Sequence, residues 1–165
     1  MATMRMLRLV VHIRSRQPVL VLGEVEGTRC LPVFLRHPQA EVIAVGPRGE
    51  DDQPLTQDLL VPVVEGLGRR LCGVEITALE NGVFTAELVF DADTRITARA
   101  SDALAVAVRD RLPISVADEI LDRVGQPIAE LFPAGADAPP DEQLRDFREF
   151  IGDVSPDDFR DPPPG

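Results

Sequence analysis

The chain has no lysine, no tryptophan and no tyrosine, and only two cysteines and two histidines among 165 residues. Each shortage excludes something. Cys30 and Cys72 stand far apart within apolar strand patterns, which suits neither a disulfide framework nor a zinc site; buried free thiols account for them. His12 falls in mid-strand and His37 sits beside Arg36 at a helix start, neither with a sequence-adjacent partner. Structural roles account for both, and a histidine-dependent hydrolase is disfavoured. No apolar run reaches the ~20 residues that span a bilayer, so no membrane segment is expected. Met1–Met6 shows neither a long apolar stretch nor a small-residue cleavage site, and the expected location is the cytoplasm. P-loop, Rossmann, HExxH and nucleophile-elbow motifs are all missing.

What is present is acidic. All 17 basic residues are arginine, which reads as compositional bias of the source genome, and the net charge is −11. Residues 133–165 hold nine carboxylates and three arginines, net −6, which leaves −5 for residues 1–132. Nucleic-acid affinity comes largely from neutralising phosphates, so a nucleic-acid partner is disfavoured by this field and requires a local arginine patch or a bound metal. The composition divides the chain into one domain, 1–132, and an acidic, proline-rich linker segment, 133–165, carrying a short amphipathic helix.

The pattern predicts an α+β domain: a mixed, largely antiparallel sheet with inserted helices. Leu7, Leu9, Val11 and Ile13 alternate along a first strand with one strongly apolar face. Pro18–Leu22 reads as a central strand, and Glu26-Gly27-Thr28 closes a hairpin onto Cys30–Leu35. Pro38 opens a helix that ends at Gly46. Thr56 is placed to cap a second helix with the stripe Leu59, Leu60, Val63, Val64 and Leu67, kinked at Pro62. Strands at Leu71–Leu79, Val83–Phe90 and Thr94–Ala100 follow, the first two joined through Asn81-Gly82. Ser101 caps a helix apolar on every side, with Val106 and Val108 buried and Arg109 favouring its C-terminal end. Ile114–Val116 is extended, and Asp118–Val124 is a last helix closed by Gly125.

Two chemistries suit the polar residues. Carboxylates could hold a divalent metal such as Mg²⁺ for phosphodiester hydrolysis. Asp58 and Asp102 each lie in the first turn of a helix, where a carboxylate also stabilises the helix dipole. Asp91 and Asp93 bracket a turn, and Glu75 and Glu87 face outward from strands. Arg99, Ser101 and Asp102 stand at a strand-to-helix junction, whose free backbone N–H groups attract an anion that an arginine would reinforce.

Several ordered blocks resemble the bifunctional nuclease domain family: Leu31-Pro32-Val33-Phe34-Leu35, Pro54–Leu60, Gly82-Val83-Phe84 and Arg99–Ala103. Phe147-Arg148-Glu149-Phe150 with Ser155–Phe159 is similar to the C-terminal end of its actinobacterial members. The resemblance covers roughly residues 4–125 plus that tail. It implies a mixed-sheet α+β fold and hydrolysis of RNA or DNA. Carried over position by position, it implies Asp58, Arg99 and Asp102 as catalytic residues, and Thr56, Ser101, Gln39 and Gln57 as substrate-binding residues, all expected in one surface region. Arg36 and Gln39 stand where the family usually has glycine and glutamate, Gln57 where it has histidine, and Thr85 where it has an aromatic residue. Glutamine neither binds a metal well nor moves a proton. The alternative is therefore a non-catalytic interaction or oligomerisation protein on the same fold. A homo-oligomer is expected, and the tail stripe Leu144–Phe147–Ile151 is expected to dock on its own domain or a neighbouring subunit.

Overall fold

A computed structural model describes residues 1–12 and 15–128 of the chain; Ile13, Arg14 and the whole predicted linker and tail helix lie outside the described residues. The strands are β1 (Ala2–Val11), β2 (Pro18–Glu24), β3 (Arg29–Phe34), β4 (Leu71–Glu80), β5 (Val83–Phe90), β6 (Arg95–Arg99), β7 (Ile114–Val116) and β8 (Gln126–Pro127). They form one sheet in the order β6-β5-β4-β7-β1-β2-β3-β8. Every pairing among the described residues is antiparallel except β4 with β7. With α1 (His37–Val45), α2 (Leu60–Gly66), α3 (Ala100–Asp110) and α4 (Asp118–Val124), this is the expected mixed-sheet α+β fold.

The core lies between the helices and one face of the sheet. Leu20 and Leu22 of β2, Leu31 and Val33 of β3, Ile43 of α1, Leu104 of α3 and Leu121 of α4 meet there, none more than 1% exposed. The two segments expected to be buried all round are so: β2 has no exposed residue, and Val106 and Val108 of α3 are 7 and 8% exposed. Asn81 and Gly82 both take positive φ, 50° and 79°, giving the left-handed pair that a two-residue hairpin loop requires. Pro38 lies in the first turn of α1, and Gly46 and Gly125 cap α1 and α4.

Four local expectations are corrected. A bulge between Met6 and Arg8 shifts the register of β1 against β2. Met4, Met6, Leu9 and Val11 therefore share the core side, while Leu7 turns to the other face. Gly23 makes this possible, since a Cβ there would come within 2.5 Å of Leu7 Cδ1. The segment after Pro54 is not one kinked helix. A 3₁₀ turn, Thr56–Leu59, leads into α2, which places Pro62 in the first turn, where its missing N–H has no partner to lose. Leu55, not Thr56, is the N-cap residue, and Asp58 Oδ2 accepts the Leu55 N–H at 2.7 Å. Only part of the predicted stripe is covered: Leu60 and Val64, with Val61, pack on Leu71, Phe90 and Val106. Leu59, Val63 and Leu67 stand 54, 55 and 76% exposed.

The third helix ends on Arg111 in the left-handed conformation, φ 53°. A side chain there strains the backbone, and glycine is the usual occupant. Arg111→Gly is expected to raise stability by about 0.5–1 kcal/mol after the flexibility of glycine in the unfolded chain is subtracted. A denaturant titration reading the midpoint at unchanged slope checks it.

Candidate functional site

The structure divides the seven predicted site residues between the two ends of α3. At its N-terminal end, Arg99 Nε donates to Asp102 Oδ2 at 2.6 Å, and Gln39 Nε2, from the first turns of α1, donates to Asp102 Oδ1 at 2.8 Å. Ser101 lies inside the first turn of α3 rather than capping it, because the cap position falls on Arg99. Its hydroxyl makes no hydrogen bond to a described residue, so it is available to a ligand. Gln39 Oε1 is buried without a partner, leaving an acceptor beside the paired carboxylate.

Arg99 and Ser101, but not Asp102 or Gln39, line a cleft of about 280 Å³ together with Gln17, Phe34, Arg36 and Phe84. β3 and β6 lie towards opposite edges of the sheet, yet the ends of both line this cleft. The sheet therefore curls around the start of α3 and brings two arginines, two phenylalanines and a helix N-terminus together. Phe34 is 50% exposed and makes an edge contact with His12, ring centroids 5.8 Å apart. Arg99, 63% exposed as a side chain, is ready for contact with solute.

Asp58 is elsewhere. Arg109, at the other end of α3, donates Nε to Asp58 Oδ1 at 2.8 Å and Nη2 to Oδ2 at 2.7 Å. Its Nη1 donates to the Gly46 carbonyl at 2.9 Å. Both residues are buried, 1 and 2% exposed. Seven residues of helix, ~10 Å along the axis, separate Arg109 from Asp102. The expectation of one shared region is thus corrected, while Arg109 stands in the last turn of α3 as expected and is buried against Asp58. The physical reason is that Asp58 is the carboxylate that, among the described residues, hydrogen-bonds and neutralises the buried Arg109 guanidinium. Hydrogen bonds from Arg109 hold the Asp58 carboxyl below the usual carboxylate range, against its burial. Thr56, exposed, and Gln57, half-buried, flank Asp58 on the 3₁₀ turn and make no side-chain hydrogen bond to a described residue. Sequence reasoning missed Arg36, Phe34 and Phe84 as cleft residues, although all three lay in or beside the ordered blocks.

The donor set does not fit a divalent metal. Asp102 is the one carboxylate of the cleft-side cluster, and both its oxygens already accept from Arg99 and Gln39. Among the described residues no group of three His, Cys, Asp or Glu side chains is placed to hold a metal ion. What the arrangement can do is bind an anion: two guanidinium groups, a hydroxyl and the free N–H groups of an 11-residue helix converge there.

Residues 20–129 match the family described as the bifunctional nuclease domain, more than half of the chain. The chain belongs to the bifunctional nuclease domain family. Two uncharacterized proteins of Mycobacterium tuberculosis, from strains CDC 1551 / Oshkosh and ATCC 25618 / H37Rv, are each 36% identical to it over 162 residues. The aligned region spans 97% of this chain and 99% of theirs. The matched bifunctional nuclease domain contains all but one of the residues that line the cleft, Gln17 lying just before it. Among its described residues, no helix is long and apolar enough to cross a membrane.

Proposed function

We propose that this bifunctional nuclease domain hydrolyses phosphodiester bonds of RNA or DNA in the cleft at the start of α3. The observation that carries the reading is the chain Gln39–Asp102–Arg99 beside Arg36 and Ser101, a preorganised set of donors at a helix N-terminus. Asp102 fixes the Arg99 guanidinium through Nε, which leaves both Nη groups for the phosphate. Water attacks phosphorus, the bond to the leaving sugar oxygen breaks as that oxygen takes a proton from solvent, and the extra negative charge on the non-bridging oxygens falls to Arg99, Arg36 and the α3 amides. Asp102 is the carboxylate available to accept the proton of the attacking water, each of its oxygens retaining a lone pair. The net charge of −11 opposes nucleic-acid binding over the surface as a whole, and the local arginines supply the attraction.

Phe34 and Phe84 give the cleft aromatic surface beside its cationic groups, the combination that holds unpaired bases. Phe34→Ala is expected to weaken binding of a labelled single-stranded oligonucleotide by about 5–150-fold, from ~1–3 kcal/mol of stacking. Fluorescence anisotropy at fixed salt reads it. The test of the function itself is incubation of the pure chain with labelled RNA and single-stranded DNA, in Mg²⁺, Mn²⁺ and chelator. Cleavage that persists in chelator is the expected result for the arginine-assisted site.

A second reading has its own support. Leu59, Val63 and Leu67 stand at i, i+4 and i+8 and form an exposed apolar stripe along α2, which suits an interaction or homo-oligomerisation protein. No cleavage under any condition, together with concentration-dependent association lost in Val63→Asp, favours that reading.

A further inference from the structure

We propose that the cleft takes one dinucleotide step of a single strand, a phosphodiester with a base on either side, and gains nothing from further phosphates. Short oligonucleotides are then its substrates as fully as long ones. The inference rests on the phosphodiesterase reading given above. Each jaw of the cleft carries one arginine and one aromatic ring. Phe34 and Arg36 stand where β3 gives way to α1; Phe84 is at the start of β5 and Arg99 at the end of β6. The two guanidinium groups share one helix N-terminus and one hydroxyl, that of Ser101, which makes a single anion position rather than a row of them. A ring on each jaw gives each flanking base a face to stack on. At about 280 Å³, the cleft lies at the small end of the ~300–1,000 Å³ typical of small-molecule sites.

Beyond the cleft the charge turns against a polyanion. None of the described residues that line it is a carboxylate, although residues 1–132 carry net −5. Arg95 precedes Arg99 on the same edge strand, but it ion-pairs with Glu75 and Glu87. Arg29 and Arg69 are likewise held by carboxylates. Exposed Glu80 and Glu41 stand close along the chain to the lining residues Gly82 and Arg36. Arg16, exposed and next in sequence to Gln17, is the nearest addition to the cationic set. For a single strand, log K falls with log salt by about 0.7 for each phosphate neutralised. Arg36 and Arg99, with Arg16 added, make about three ion pairs at most, so the slope is no steeper than about −2. The loss from about 50 to 200 mM salt is then less than about 20-fold, whatever the strand length. A track of ~6–10 phosphates loses about 10³–10⁵ over the same range.

Titration calorimetry of the full chain with oligothymidylates tests this, their phosphorothioate linkages keeping the charge and slowing hydrolysis. Expressed per dinucleotide step, affinities should agree within about threefold from the dinucleotide to a ~16-mer, each with that shallow salt slope. Phe84→Leu should weaken the dinucleotide itself by about fivefold or more, through the stacking face it removes. Phe84 also packs against the core, so a thermal melt of the same variant separates lost stacking from lost packing. Affinity per step that climbs about tenfold or more with length, with a slope that steepens in parallel, overturns the inference. So does a Phe84→Leu chain that melts and binds like the wild type, and so does an absence of binding at every length. Cleavage of unmodified strands, followed alongside, keeps the two claims apart. Length-independent binding without cleavage supports the inference and sinks hydrolysis. Cleavage with strongly length-dependent binding sinks the inference and leaves hydrolysis standing.

Discussion

Replacing Asp58 by asparagine is expected to cost about 3–5 kcal/mol of stability, because it leaves the Arg109 guanidinium buried and uncompensated. For a domain of this size that lowers the thermal midpoint by about 10–20 °C. Asp58 lies ~10 Å from the cleft-side cluster along α3, so cleavage per folded molecule should survive at low temperature. Removing both charges, in Asp58→Leu with Arg109→Met, should recover much of the loss, because a matched apolar pair needs no desolvation. Thermal and denaturant unfolding of the two single variants and the double variant give the coupling directly.

The same pair sets an acid limb. The folded-state pKa of Asp58 is depressed, mainly by its hydrogen bonds from Arg109. Its contribution is therefore fully present above the unfolded-state value of about 3.9 and is lost as pH falls through the lower folded value. Glu24, held down by Arg29, and Asp91, held down by Arg69, act in the same direction. Asp110 acts in the opposite one, since burial raises its pKa and protonation eases its place in the fold. Asp58→Asn should flatten the decline of stability between about pH 5 and pH 2, and stability measured across that range checks the sign.

Arg99→Ala is expected to lower phosphodiester cleavage by about 10²–10³-fold, the usual effect of removing one preorganised donor from a developing oxyanion. Stability should change by less than about 1 kcal/mol, because the Arg99–Asp102 pair is exposed and screened by solvent. Arg99→Lys should rescue little. A lysine cannot hold Asp102 through one nitrogen and present two others to a phosphate. Single-turnover cleavage beside thermal unfolding separates the two variants at Arg99 from the one at Asp58. Full cleavage by Arg99→Ala would place the reaction outside this cleft.

Where local chemistry decides an element, it was legible. Asn81-Gly82 fixes a left-handed turn, β2 is apolar at every other position on both faces, and Gly46 and Gly125 end their helices. The junction residues Arg99, Ser101 and Asp102 could be read from pattern for a related reason, since they sit at an element boundary, whereas Gln39 came only from the family resemblance. Asp58 was not. A carboxylate three residues into a helix start looks the same whether it faces a ligand or a buried arginine 51 positions later. The bulge at Leu7 was hidden as well, because it depends on Gly23 of the neighbouring strand and not on the alternation of β1 itself. The exposed half of the α2 stripe shows the same limit, as spacing finds an apolar helix without saying how many of its sides the domain covers.

The curl of the sheet around α3 depends on its shortest interior strand. β7 has three residues, and its three pairings to β1 and three to β4 are what join the antiparallel half β1–β2–β3 to the antiparallel half β4–β5–β6. Phe34 and Arg36 belong to one half, and Arg99 and Ser101 to the other, so the jaws of the cleft are anchored on opposite sides of a narrow seam. The distance between the two arginines is therefore set in part by three residue pairs on each side of β7.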